Sequence, residues 1–205
     1  MTHLRPALIL VALSTAMLGL ALPLAFVGIG AAAFPFQAGG SLIRHDGRVV
    51  GSAVLGQNFA GGRYFHPRPS ATTATDPNDS SKTVPAPYAA DSSAGSNLAP
   101  TSKALIDRVR TDVARLGPTP VPADAVTTSA SGLDPDISPG NAARQIARIA
   151  AARGLAADQV RALVAGATTG RTFGVFGEPR VNVLALNLAL DALAPAAPGS
   201  ARAAR

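Results

Sequence analysis

The sequence predicts an α+β protein: one N-terminal transmembrane helix followed by a single extracytoplasmic mixed domain. Three observations predict it. No residue between Arg5 and Arg44 is charged, and positions 7 to 36 are almost wholly Ala, Leu, Val, Ile, Gly, Phe and Met. A hairpin signal follows, with His45-Asp46-Gly47 between apolar arms. Beyond residue 100, apolar positions recur at helical spacing in several separate segments. The organisation is an anchor and interface exit over residues 1–36, the domain over 37–193 and a flexible tail over 194–205.

The first element is the anchor. A spanning helix needs about 20 apolar residues at about 1.5 Å rise each, and this run is long enough to cross with some tilt. Backbone polar groups in lipid must pair internally, so the run should be helical. Pro23 is expected to kink or end its outer part. The competing reading is a cleaved signal peptide, with Ala31-Ala32-Ala33 as the small-residue cleavage site. A signal h-region is only about 7–15 residues long, which favours a retained anchor. His3, Arg5 and the α-amino group precede the span, and Arg44, Arg48, Arg63 and Arg68 follow it. The first flank is short and close, so the N-terminus is expected in the cytoplasm and the bulk outside. Ala12 and Ala16 are four apart, as are Thr15 and Gly19. That spacing lets a second helix approach closely, although Ala and Gly are abundant throughout the span.

The domain elements follow in order. Phe34-Pro35-Phe36-Gln37 marks the membrane exit, with aromatics at the interface. Residues 41–44 and 48–55 form the arms of the hairpin. Residues 67–100 are rich in Pro, Ser, Thr, Asp and Asn without any period, which predicts a long functional or covering loop. Leu105, Ile106, Val109, Val113 and Leu116 make one face of a helix over residues 101–116. Thr101 or Ser102 would cap it, an Arg108–Asp112 pair would support it, and Gly117-Pro118 would stop it. Residues 125–131 read as a short strand. Ser138-Pro139 opens a helix running to Gly154, with cap and first-turn proline in order. Arg144 and Arg148 share one of its faces, either exposed or touching a partner. Residues 158–164 read as a short helix. Residues 182–193 are apolar but too short to span a membrane, so they should form a buried helix.

Composition narrows the chemistry. The 205 residues carry a net charge of +6, and the pI is about 11. Sixteen of the eighteen basic residues are Arg, scattered without a dense run or interleaved aromatics, so no nucleic-acid partner is expected. With no Cys there is no disulfide, thiolate nucleophile or Cys-metal site. The three His residues lie far apart, so no metal site is expected. A phosphate loop needs a Lys after its glycines, and Gly56–Gly62 has none. Ser70, His66 and Asp76 could be assembled into a hydrolytic set, though nothing places a base against a nucleophile. Asp134-Pro135-Asp136 reads as helix-capping rather than as a calcium loop. Glu178 is the only Glu, which excludes paired-Glu catalysis. The residues alone therefore describe a membrane-anchored domain without evident catalysis.

Several blocks carry a resemblance. GSAVLGQNF over residues 51–59 and YFHPRPSA over 64–71 are followed by GSNL over 95–98 and SASGLD over 129–134. ISP over 137–139, VNV over 181–183 and LNLALD over 186–191 continue the pattern, which opens with LRPAL over 4–8 and QAGGSLI over 37–43. In order and spacing these resemble the C subunit of Kdp-type potassium-transporting ATPases. The resemblance implies a non-catalytic accessory subunit of an ATP-driven potassium uptake pump in the bacterial inner (plasma) membrane. Its partners would be a channel-like potassium subunit, a P-type ATPase subunit, a small membrane peptide and the lipid bilayer. No cofactor would be firmly bound, and ATP would be met only together with the ATPase subunit. Two roles follow, each alongside assembly of the complex. In one the subunit is a catalytic chaperone raising the ATP affinity of the ATPase subunit, with Gln159 as nucleotide contact. Gln159 ends LAADQ over 155–159, where the family has an LS-x-x-Q-like stretch; the Ser and Gly of that pattern are absent here. In the other it caps the potassium entrance. Gln57, Asn58, Ser70 and Asn97 would then be polar contacts, joined by Arg68, with Phe59, Tyr64 and Phe65 as apolar anchors. A stand-alone membrane-anchored periplasmic hydrolase is the alternative from a different class.

Overall fold

The computed structural model describes residues 3–117 and 120–193. The chain divides between Ser52 and Ala53 into two compact units. The predicted tail over 194–205 and Pro118 of the predicted helix stop lie outside the described residues.

In the first unit the backbone is helical from Leu4 to Ala33: α1 (Leu4–Ser14), a π-helical segment (Thr15–Ala21) and α2 (Leu22–Ala33). This 30-residue apolar run is long enough to cross a membrane, and none of its side chains is buried. It is compatible with a single-pass membrane protein. Of the two expected effects of Pro23, a kink or an end, the helix does not end there. Proline lacks an N–H and its ring crowds the carbonyl four residues back. The π segment lies directly before it, with Leu22 N donating to Met17 O, so the wider turn falls where that crowding would arise. The helix stops instead at Phe34, whose φ of −136° leaves the helical region ahead of Pro35. One further turn, α3 (Pro35–Ala38), leads to the predicted hairpin. Strand β1 (Leu42–His45) pairs antiparallel with β2 (Arg48–Ser52). Asp46 and Gly47 both have positive φ, 49° and 76°, as a tight two-residue hairpin turn requires.

The second unit holds the core. Strand β7 (Arg180–Asn182) is the middle of an antiparallel sheet, between β5 (Asp136–Ile137) and β6 (Thr168–Thr169). Helices α5 (Pro139–Arg153), α6 (Ala157–Ala167) and α7 (Val183–Leu193) close over it. Phe65, Ile137, Ile149, Val160, Leu186 and Leu190 are buried together. These helices stand where the periodicity predicts them. Ser138 Oγ caps α5 by accepting from Asn141 N at 3.1 Å, and Gly154 ends it at φ 67°. Asp124 organises that cap, accepting from Ser138 N, Ser138 Oγ and Asn141 Nδ2.

Several expectations are corrected. Residues 67–100 are not featureless: β3 (Thr73–Asp76) pairs with β4 (Asp79–Pro85). The alternation was illegible because both strands are polar and no residue in them is buried. Residues 125–131 form no strand; a 3-10 turn, Ala123–Ala125, comes first, because Asp124 is drawn to the cap of α5. Helix α4 (Lys103–Leu116) is present, but Ser102 makes no side-chain cap. Asp112 pairs with Arg115 at 3.1 Å in place of the expected Arg108. Asp134 and Asp136 do not cap α5 either; they pair with Arg68 at 2.7 Å and Arg180 at 3.2 Å.

Candidate functional site

The YFHPRPSA segment crosses the second unit against α5 and frames a cleft of about 650 Å³. Its position is set by side chains clamping its backbone. Asn187 Oδ1 accepts from Phe65 N at 2.8 Å, and Asn187 Nδ2 donates to Phe65 O at 3.1 Å, both fully buried. Gln145 repeats the clamp one residue on, accepting from His66 N at 2.7 Å and donating to His66 O at 3.0 Å. Arg148 donates to the carbonyls of Gly62 and Tyr64. Arg153, its side chain wholly buried, bonds Asp191 at 2.7 Å and lies 4.9 Å from the Tyr64 ring centroid.

The lining of the cleft is basic. Arg68, Arg115, Arg144 and Arg148 line it together with His66, and Asp112 is the one carboxylate among its described lining residues. Burial lowers the His66 pKa first, and the positive charges of Arg148 and Arg115 lower it further. The Tyr88 phenol, donating to Arg68 O at 2.9 Å, is raised by burial and by Asp134. Among the described residues no group of three His, Cys, Asp or Glu is placed to hold a metal ion.

The predicted contact residues separate. Asn58, Phe59, Arg68 and Ser70 line the cleft. Phe59 stacks at a tilt on Tyr64, with ring centroids 5.6 Å apart. Gln57 is half-buried beside them, its carbonyl accepting from Phe59 N. Asn97 is exposed with a φ of 51° and does not line the cleft. Phe65 is fully buried and Tyr64 nearly so, so neither offers a surface to a partner; both anchor the core instead. Ser70 is a structural node. Its Oγ donates to Gly132 O at 2.7 Å and accepts from Tyr88 N at 3.1 Å. His66 Nε2 lies 3.1 Å from Gly61 O, so Ser70 and His66 are held to separate backbone partners. Gln159 Oε1 accepts from Ala156 N at 3.1 Å and caps the start of its own helix. The shallow pocket that Gln159 lines is otherwise apolar, formed with Ala162, Leu163, Gly166, Ala167, Ala189 and Leu193. Ala12, Thr15, Ala16 and Gly19 are all exposed on the long helix, the last three inside its π segment.

Two features escaped sequence reasoning. The cleft brings Arg115 of α4 to Arg144 and Arg148 of α5, and only the Arg144/Arg148 spacing hinted at it. The second is the turn between β6 and β7. Phe173, Val175 and Phe176 are exposed at its tip, Phe173 by 90%. Thr172 N and Phe176 N each donate to the other residue's carbonyl, and Arg171 binds both carboxylate oxygens of Glu178 at 2.7 Å. Phe173 and Gly174 take positive φ at the bend. The available signal was the glycine-flanked aromatic string TFGVFGEP.

A family model described as KdpC, the c chain of the K+-transporting ATPase, matches residues 4–192. The potassium-transporting ATPase KdpC subunit of Methylorubrum populi is 60% identical over 198 residues, covering 95% of this chain and 98% of its own. The KdpC subunit of Methylobacterium nodulans is 60% identical, with 94% and 98% covered. That of Bradyrhizobium diazoefficiens is 58% identical, with 92% and 96% covered.

Proposed function

The chain belongs to the KdpC family, a subunit of the potassium-transporting ATPase, and from that premise we propose that it caps the potassium entrance of the pump from the extracytoplasmic side. The helix Leu4–Ala33 spans the bacterial inner membrane once, with the N-terminus in the cytoplasm. Residues 53–193 then meet the channel-like potassium subunit, and the P-type ATPase subunit and a small peptide complete the complex. The observation that carries this reading is the braced tip of Phe173, Val175 and Phe176. Large apolar side chains held out rigidly by the fold suit a contact with a partner's apolar surface. Neither His66 nor Ser70 stands as base against nucleophile, and family membership gives the hydrolase alternative no support.

The nucleotide-linked role has the weaker geometry. Gln159 already caps its own helix, and among the described residues that line the pocket beside it there is no cation to meet phosphates. On the proposed topology Gln159 also lies away from cytoplasmic ATP.

Topology is the testable premise. The chain has no Cys, so one cysteine placed at exposed Ser80 in β4 reports its compartment alone. Ser80→Cys is expected to react with a membrane-impermeant maleimide in intact cells. Labelling only after lysis of the inner membrane would remove the basis of the cap.

A further inference from the structure

We propose that the arginine-lined cleft binds a multivalent oxyanion of phosphate chemistry. Four arginines, Arg68, Arg115, Arg144 and Arg148, line a space whose described lining residues contribute one carboxylate, Asp112. Counting Asp134 as well, the ion-pair partner of Arg68, two positive charges remain in excess. Such a field repels K+, so the cleft is not a stretch of the cation's path. The planar guanidinium fork matches phosphate oxygens, and several forks around one cavity favour an anion of more than one charge.

Two arginines are positioned in advance. Arg148 is held by the carbonyls of Gly62 and Tyr64, and Arg144 Nη2 donates to Leu116 O at 2.8 Å. Carbonyls fix the side chains without cancelling their charge, so an arriving anion does not have to order them. The Nε of Arg68, a lining residue, is buried and makes no hydrogen bond. A volume of about 650 Å³ is of small-molecule size, ample for a phosphate group with part of its carrier. The His66 imidazole lies in the same cleft and already senses Arg148 and Arg115, which makes it a built-in reporter. The inference does not depend on the capping role.

The test uses the full-length chain in nanodiscs, with the histidine ring signals followed by NMR and His66 assigned through His66→Gln. In one arm the lipid is neutral phosphatidylcholine and inorganic pyrophosphate is added. In the other the lipid includes anionic phosphatidylglycerol and no soluble phosphate is present. An anion in the cleft must raise the apparent pKa of His66. A shift in the first arm identifies a free phosphate and in the second a lipid headgroup, and either supports the proposal. The double variant Arg115→Gln/Arg144→Gln is expected to weaken pyrophosphate at least about tenfold, since one charged hydrogen bond is worth about that much. No movement of His66 in either arm would overturn the proposal. So would an equal shift on the unmodified chain from sodium chloride at matched ionic strength, or an unchanged response in a folded double variant.

Discussion

Asn187 and His66 show how single side chains hold this domain. The Asn187 amide satisfies both backbone groups of Phe65, 122 residues away, at full burial. Leaving those groups unpaired would cost about 1–3 kcal/mol each, so this residue is one of the main fixings of the YFHPRPSA segment. His66 adds a pH dependence. Burial, Arg148 and Arg115 lower its pKa from 6.5, so the unfolded chain holds the proton more tightly than the folded one. Stability is therefore full above the unfolded value and falls as pH drops below about 6.5 toward the folded pKa. Urea denaturation at pH 7.5 and pH 5 should show the loss, and His66→Gln should flatten that part of the profile. An unchanged slope in the variant would mean that other groups carry it. Neither role was legible in the sequence. Asn187 sat in a recognisable block, yet its partner is fixed only once α7 packs against the segment.

At the scale of elements, α5, α6 and α7 were legible because each repeats apolar residues at helical spacing and shows that face to the sheet. Hairpin β1–β2 was legible from its Asp-Gly turn. Hairpin β3–β4 was not, because strands that bury nothing leave no alternation to read. The β6–β7 turn is the element with most bearing on partners. It is closed by its own backbone bonds and by the Arg171–Glu178 pair, so its phenylalanines contribute little to the core. The double variant Phe173→Ser/Phe176→Ser should leave the unfolding free energy of the chain within about 0.5 kcal/mol of the parent, as surface changes usually do. It should nevertheless lower the amount of partner subunits recovered with the chain from native membranes. Full recovery of the complex would show that the tip is not a contact.

At the scale of the whole molecule, an exposed 30-residue apolar helix and a small α+β domain answer two different solvents. The helix exposes apolar side chains throughout, which only lipid or a partner's helix accommodates. The domain buries its apolar residues around β7 and places four of its arginines on a cleft. The span and the domain class were legible because hydropathy runs and periodicity are local properties of a sequence. The cleft was not, since its arginines come from three distant stretches and meet only in the fold. The most direct measurement is photo-crosslinking from the tip. Benzoylphenylalanine replaces Phe176 in cells making the complete pump, and the adduct is identified by mass spectrometry. A covalent link to the extracytoplasmic face of the channel-like potassium subunit is the expected product; a link to the nucleotide-binding part of the ATPase subunit, or none at all, would contradict the cap.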